Sequence, residues 1–181
     1  MSGHQETRSL FARYSLDSSF FIDLWSREGK FPKDIFVGIW EALVEGIDKG
    51  EVIAPEVVRD ELADTDEAAL KRWLAEHDGM FVPLESGQLG PLTEIVRRYP
   101  AYANSPRNLA DPAVIALAKA DELTVLSSET KATQHSERKP KIPNVCQEFS
   151  VGCLDIPDFC RKEGIELHRS PASGGSKAAA T

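Results

Sequence analysis

The chain has 181 residues, 41% of them hydrophobic and 28% charged, with a formal net charge of −8. That length suits one domain with a core large enough to need neither disulfide nor structural metal. No apolar run approaches the roughly 20 residues of a bilayer-spanning helix, and so acidic a balance argues against a protein that grips nucleic acid through a broad basic face.

Residues 1–13, MSGHQETRSLFAR, lack the apolar stretch of a secretory signal and read as an N-terminal extension. RYSLD then reads as a first strand ending in Asp17, and SSFFIDLWSRE as a helix whose free N–H groups Ser18 or Ser19 can cap. In DIFVGIWEALVEGIDKG, Ile35, Ile39, Leu43 and Ile47 recur every fourth residue, which predicts one long amphipathic helix closed by Gly50. EVIAP is a short second strand. PEVVRDELADTDEAALKRWLAEH gives a helix opened by Pro55 and another capped near Thr65, and MFVPL is a third strand.

LGPLTEIVRRYPAYANSPRN predicts a helix and then an irregular stretch rich in Pro and Asn. DPAVIALAKADE is a helix of small residues, and LTVLSS a buried strand. NVCQEFSVGCLDIPDFCRKEGIEL adds helix, strand and helix to complete a folded domain over residues 14–167; the polar tail 168–181 offers nothing to bury. Cys146, Cys153 and Cys160 have no C-x2-C spacing and read as buried, reduced thiols of a cytoplasmic protein, not zinc ligands. Trp25, Trp40 and Trp73 fall at helical spacing and read as core. Alternating strands and helices predict an α/β fold of three layers, α/β/α, with a central, mainly parallel sheet and a site at the carboxyl ends of its strands.

Asp17 stands at such an end. Three more acids invite the same question. On a helix of 100° per residue, Glu61 falls inside the buried arc of Val57, Val58 and Leu62, where a carboxylate is costly unless paired or bound to a cation; a half-exposed edge position explains it equally well. Asp111 before Pro112 is, on spacing alone, an ordinary helix cap, although Ala113, Ala116, Ala118 and Ala120 would let its helix lie close to the sheet. Glu129 follows the buried strand TVLSS at the level of Asp17, with Ser127 and Ser128 as supporting hydroxyls. Four acids brought together would repel one another. Mg²⁺ or Mn²⁺ would remove that penalty, and either ion could activate a water for attack on a phosphodiester.

At these residues the chain resembles the PIN-domain ribonucleases, the family of VapC-type toxins. LDSSFFIDL resembles the family's opening strand, Asp and helix, IAPEVVRDEL its second acidic motif, ADPAVIALAKA its third and TVLSSE its fourth; KIPNVCQEFSVGCLDIPDFCRKEGI resembles a PIN-like branch formerly of unknown function. The resemblance implies a PIN-like fold and a metal-dependent endoribonuclease, the toxin of a toxin–antitoxin pair, with a cognate antitoxin protein and a possible homodimer as partners and no membrane. It implies Asp17, Glu61, Asp111 and Glu129 as both catalytic and Mg²⁺- or Mn²⁺-binding residues. Where the family often has Thr-Asn after the first acid this chain has Ser18 and Ser19, and its fourth acid is Glu instead of the commoner Asp.

Lys131, Arg138, Lys139 and Lys141 are the phosphate contacts such a nuclease would use for single-stranded RNA, or else a solvated loop; Arg97, Arg98 and Arg107 form a second basic group. A catalytically silent PIN fold that binds RNA or protein is the alternative. A phosphoryl-transfer domain built on Asp17 is a third reading, weakened because Ser19 stands where a D-x-D motif needs its second acid.

Overall fold

The structure, a computed structural model, describes residues 11–104, 109–134 and 136–166. Most of the N-terminal extension, Arg107 and the C-terminal tail lie outside those residues. Five strands form one parallel sheet: β1 (Tyr14–Leu16), β2 (Val52–Pro55), β3 (Phe81–Val82), β4 (Thr124–Leu126) and β5 (Gly152–Leu154), in the spatial order β3-β2-β1-β4-β5. Among the described residues, eight α-helices connect and flank them: α1 (Ser18–Trp25), α2 (Val37–Asp48), α3 (Glu56–Ala63), α4 (Ala68–Glu76), α5 (Ser86–Arg98), α6 (Ala110–Ala120), α7 (Ile142–Glu148) and α8 (Ile156–Glu163). This is the three-layer α/β/α architecture expected from the alternation of elements.

Strand β1 shows why both faces must be covered. Successive side chains of a strand point to opposite sides. Tyr14 meets Phe159 of α8 edge-on at 5.6 Å on one side, while its neighbour Ser15 donates to the Val114 carbonyl of α6 at 2.9 Å on the other. All three β1 residues are buried. Helix α6 is buried along almost its whole length, Ala110, Ala113, Ala116 and Ala118 among the buried positions, and packs on β1, β2 and β4 as well as on α5 and α7. Its small side chains permit that closeness.

The long helix begins later than the hydrophobic period predicts. The chain turns at Pro32, whose carbonyl accepts from the N–H groups of both Ile35 and Phe36, and α2 starts at Val37. Ile35 is therefore 70% exposed, whereas Ile39, Leu43 and Ile47 are buried as expected. The three tryptophans pack on one another and on Phe21, uniting α1, α2 and α4, and the Lys33 ammonium sits 2.8 Å from the Trp25 ring centroid. Cation–π attraction holds it there. The same turn region contains Gly29, where a Cβ would stand 2.3 Å from the Asp23 carbonyl oxygen. Gly29→Ala should therefore force backbone apart and cost about 1–3 kcal/mol of stability in a urea melt.

No helix among the described residues is long and apolar enough to cross a membrane. Strand order reverses direction about β1: the chain moves from β1 outward to β2 and β3, then returns across to β4 and β5. In open parallel sheets the crevice at such a switch point, beyond the strands' carboxyl ends, is where ligands bind. Here it lies between Asp17, which follows β1, and Ser127, which follows β4.

Candidate active site

Register brings the first acid and its supports together. Leu16, Leu126 and Leu154 are aligned partners across β1, β4 and β5, so the next residue of each strand leaves the sheet at one level. The Asp17 N–H still donates to the Leu126 carbonyl at 2.9 Å, and the Ser127 N–H to that of Leu154 at 3.0 Å. The ladder thus fixes both backbones one residue past the strands.

Asp17 is only 2% exposed. Two hydroxyls converge on its Oδ2: Ser19 Oγ donates to it, and Ser127 Oγ donates from 3.0 Å. Ser19 Oγ also accepts from the Ser128 N–H at 3.0 Å, and Ser127 Oγ from the Glu129 N–H at 3.2 Å. The loop after β4 is thereby hung on the first turn of α1. Burial pushes the Asp17 carboxyl up to about 6, the two hydroxyls pull it down, and the charges of Glu129 and Glu61 add to the rise. Ser19 is therefore more than a residue of the helix start: it ties Asp17 to the β4 exit. Ser19→Ala would strand the Ser128 N–H and weaken the hold on Asp17, and should lower any Asp17-dependent activity about tenfold, with a loss of about 1–3 kcal/mol in a denaturant melt.

Asp111 lies in the first turn of α6, not at its cap; Leu109 occupies the cap position. Among the described residues nothing hydrogen-bonds its carboxylate, so the ordinary helix-cap explanation does not account for it. Burial raises it to about 8, and Asp17, Glu129 and Glu61, in that order, raise it further against the opposing charge of Lys141. Of the two readings of Glu61, buried arc or edge position, the structure gives the edge. It is exposed, while Val58 and Leu62 beside it are buried, because α3 leaves β2 at the rim and turns only a narrow stripe inward. Its charge still reaches both aspartates.

Glu129 is already engaged. Its Oε1 accepts from Lys141 Nζ at 2.7 Å and its Oε2 from the Ile142 N–H, the first of α7, at 2.8 Å. It closes the 129–142 loop and caps α7. Lys141, expected as a phosphate contact, is thus ion-paired with Glu129. Lys131, Arg138 and Lys139 are exposed on the same loop. Ser128 contributes its backbone N–H, while its own hydroxyl is buried without a partner. Of the second basic group, Arg98 is paired with Glu137 and Glu148.

One neighbour was not anticipated from sequence. Tyr102, in the 3-10 turn Pro100–Asn104, is 2% exposed and its hydroxyl has no hydrogen-bond partner. Burial raises its pKa, as do Asp111 and Glu129 next, so the phenol lies within the field of those acids. Its only signal was an aromatic residue in a segment with no periodicity.

The four acids thus share one field at one rim. Yet among the described residues no group of three or more His, Cys, Asp or Glu side chains stands at metal-ligand spacing. The donor set fits a hydrated Mg²⁺ or Mn²⁺, which takes one or two carboxylates and keeps several waters, and does not fit a closed protein cage. Asp17 and Asp111 would be the direct donors to such an ion.

The family model described as Domain of unknown function (DUF4411) matches residues 14–167. No curated protein matches the chain. Among solved structures, the chain is similar to the protein titled FitAcB from Neisseria gonorrhoeae, known from its crystal structure. The two share 16% sequence identity and a TM-score of 0.49, over 79% of this chain and 97% of that one.

Proposed function

The chain belongs to the family described as Domain of unknown function (DUF4411), and on that premise we propose that it is a Mg²⁺- or Mn²⁺-dependent endoribonuclease with a PIN-like site. The observation that carries this reading is the pair of carboxylates at the switch point of the sheet, Asp17 buried and Asp111 half-buried. Both are raised toward neutrality by burial and by neighbouring acids, and among the described residues only Lys141, itself held by Glu129, opposes the rise at Asp111. A divalent ion held there would supply that relief, together with Lewis-acid activation of water and of the phosphodiester.

The chain's own residues would divide the work. Asp17 and Asp111 would hold the ion, and Ser19 and Ser127 keep Asp17 in one orientation through Oδ2. Glu61, exposed at the lip, would take up the proton of the attacking water through solvent. Glu129 shapes the wall by closing its loop on Lys141 and Ile142, and Lys131, Arg138 and Lys139 meet the backbone phosphates of a single strand. The resemblance of the four acidic motifs to VapC-type toxins supports a cytoplasmic toxin with a cognate antitoxin protein, and a homodimer.

The test is cleavage of short single-stranded RNAs by the purified chain with Mn²⁺, with chelator, and by Asp17→Asn. Cleavage that survives chelator and substitution alike would refute the mechanism. Binding of RNA or protein without cleavage would favour the silent PIN fold, a reading to which the engaged Glu129 lends some support. Phosphorylation of Asp17 is disfavoured by its burial, since an acyl-phosphate donor needs an open carboxylate.

A further inference from the structure

Beside the acids, across the loop that carries Ser127 and Glu129, a cavity of about 540 Å³ opens between the ends of β4 and β5 and the turn after α1. That volume is within the roughly 300–1,000 Å³ of small-ligand sites. Phe31 and Pro157 give it apolar walls, Lys131 stands at its rim, and Asp23, Lys30 and Ser128 line its polar side.

The polar side is short of donors. Asp23 Oδ2 is buried and has no hydrogen bond. The nearest charge is Lys30 Nζ at 3.4 Å, which also donates to the Ser128 carbonyl at 3.2 Å. One exposed ammonium therefore covers two acceptors and serves neither at the 2.7–2.9 Å of a good charge-assisted bond. The other acids of the wall are better occupied: Asp155 accepts from the Asp158 N–H at 2.8 Å, Asp158 from Arg161 at 2.6 Å, and Glu129 from Lys141 and Ile142. Displacing the Lys30 head toward solvent would uncover a carboxylate and a carbonyl side by side.

We propose that this cavity is a guanine-binding subsite for the RNA, in which the Asp23 carboxylate and the Ser128 carbonyl receive the two adjacent donors of the guanine Watson–Crick edge. Guanine alone presents neighbouring N1–H and N2–H donors. Adenine and cytosine place an acceptor beside their single amino group, and uracil flanks its one donor with acceptors. The base face stacks on Phe31, as unpaired bases do in protein sites, and the 5′ or 3′ phosphate meets Lys131. The inference deepens the nuclease reading and rests on it for its meaning, because the subsite opens beside the scissile position.

Titration calorimetry of the full chain with GMP, AMP, CMP and UMP should give GMP about tenfold or more tighter than the rest, and Asp23→Asn should reduce GMP to their level. In the Asp17→Asn chain, an oligouridylate carrying one guanosine should outbind plain oligouridylate by a similar factor, which separates an RNA subsite from a site for free nucleotide. Equal binding of the four nucleotides, no gain from the guanosine, or a preference that survives in a folded Asp23→Asn chain overturns the proposal. The wild-type arms decide the matter even if Asp23→Asn does not fold. Guanine preference without any cleavage by the wild type would instead remove the nuclease and leave the subsite standing.

Discussion

Asp111→Asn should abolish metal-dependent cleavage and at the same time make the metal-free protein more stable. The two effects come from one cause. The Asp111 carboxylate is half-buried and receives no hydrogen bond among the described residues; that burial first, and then the charges of Asp17, Glu129 and Glu61, lift it to about 8. At neutral pH the folded chain must either carry a proton there or tolerate an unpaired, partly desolvated charge, and both are unfavourable relative to an unfolded chain whose Asp ionises near pH 3.9. Asparagine removes the charge and keeps the shape. In a chain of this size the relief should raise the melting temperature by roughly 5 °C. Loss of a direct ligand to the ion forfeits several kcal/mol of transition-state stabilisation, so cleavage should fall more than about a hundredfold. Asp17→Asn should match it in activity but gain less stability, since Asp17 already has two hydroxyls on Oδ2. A variant of Asp111 that loses both activity and stability would mark the residue as structural.

The parts of this site that depend on local rules were legible in the sequence; the parts that depend on distant contacts were not. Asp17 could be placed because the short run Tyr14-Ser15-Leu16 ending in an acid before two serines reads as strand, rim and helix start, and the register of β1 with β4 then put Ser127 beside it. Periodicity misled at both ends of its reach. Ile35 keeps the four-residue step but falls in the turn about Pro32, and Glu61 keeps the angle of a buried stripe on a helix of eight residues that buries only Val58 and Leu62. Glu129 was legible as a rim acid. Its binding to Lys141 and Ile142 was not, because nothing in residue type or spacing closes that loop. Tyr102 was hidden for the same reason: a 3-10 turn leaves no repeating pattern, so its nearness to the charges of Asp111 and Glu129 exists only in three dimensions.

The metal-free chain should lose stability as pH rises, and a divalent ion should restore it more strongly the higher the pH. The sign follows from the direction of the shifts. Asp17 and Asp111 bind protons more tightly folded, at about 6 and about 8, than unfolded. The stability that this difference contributes is complete below the unfolded value near pH 3.9, and declines as pH climbs through each folded value. Between about pH 4 and pH 8 these two groups should together remove a few kcal/mol, the opposite of the usual gain when salt-bridged carboxylates ionise. A cation that must displace those protons to bind competes with them at acid pH and is unopposed at alkaline pH. Melting curves with and without millimolar Mn²⁺ should therefore nearly coincide at about pH 5 and separate by several degrees at about pH 8. Calcium should separate them less if the site selects a small hydrated ion bound through two carboxylates. In Asp111→Asn most of the pH dependence and most of the Mn²⁺ effect should vanish together, because both draw on the same partly desolvated charge. If Mn²⁺ stabilised the protein equally at both pH values, or if the substitution removed one effect and spared the other, the ion would be binding elsewhere and these two carboxylates would not be its site.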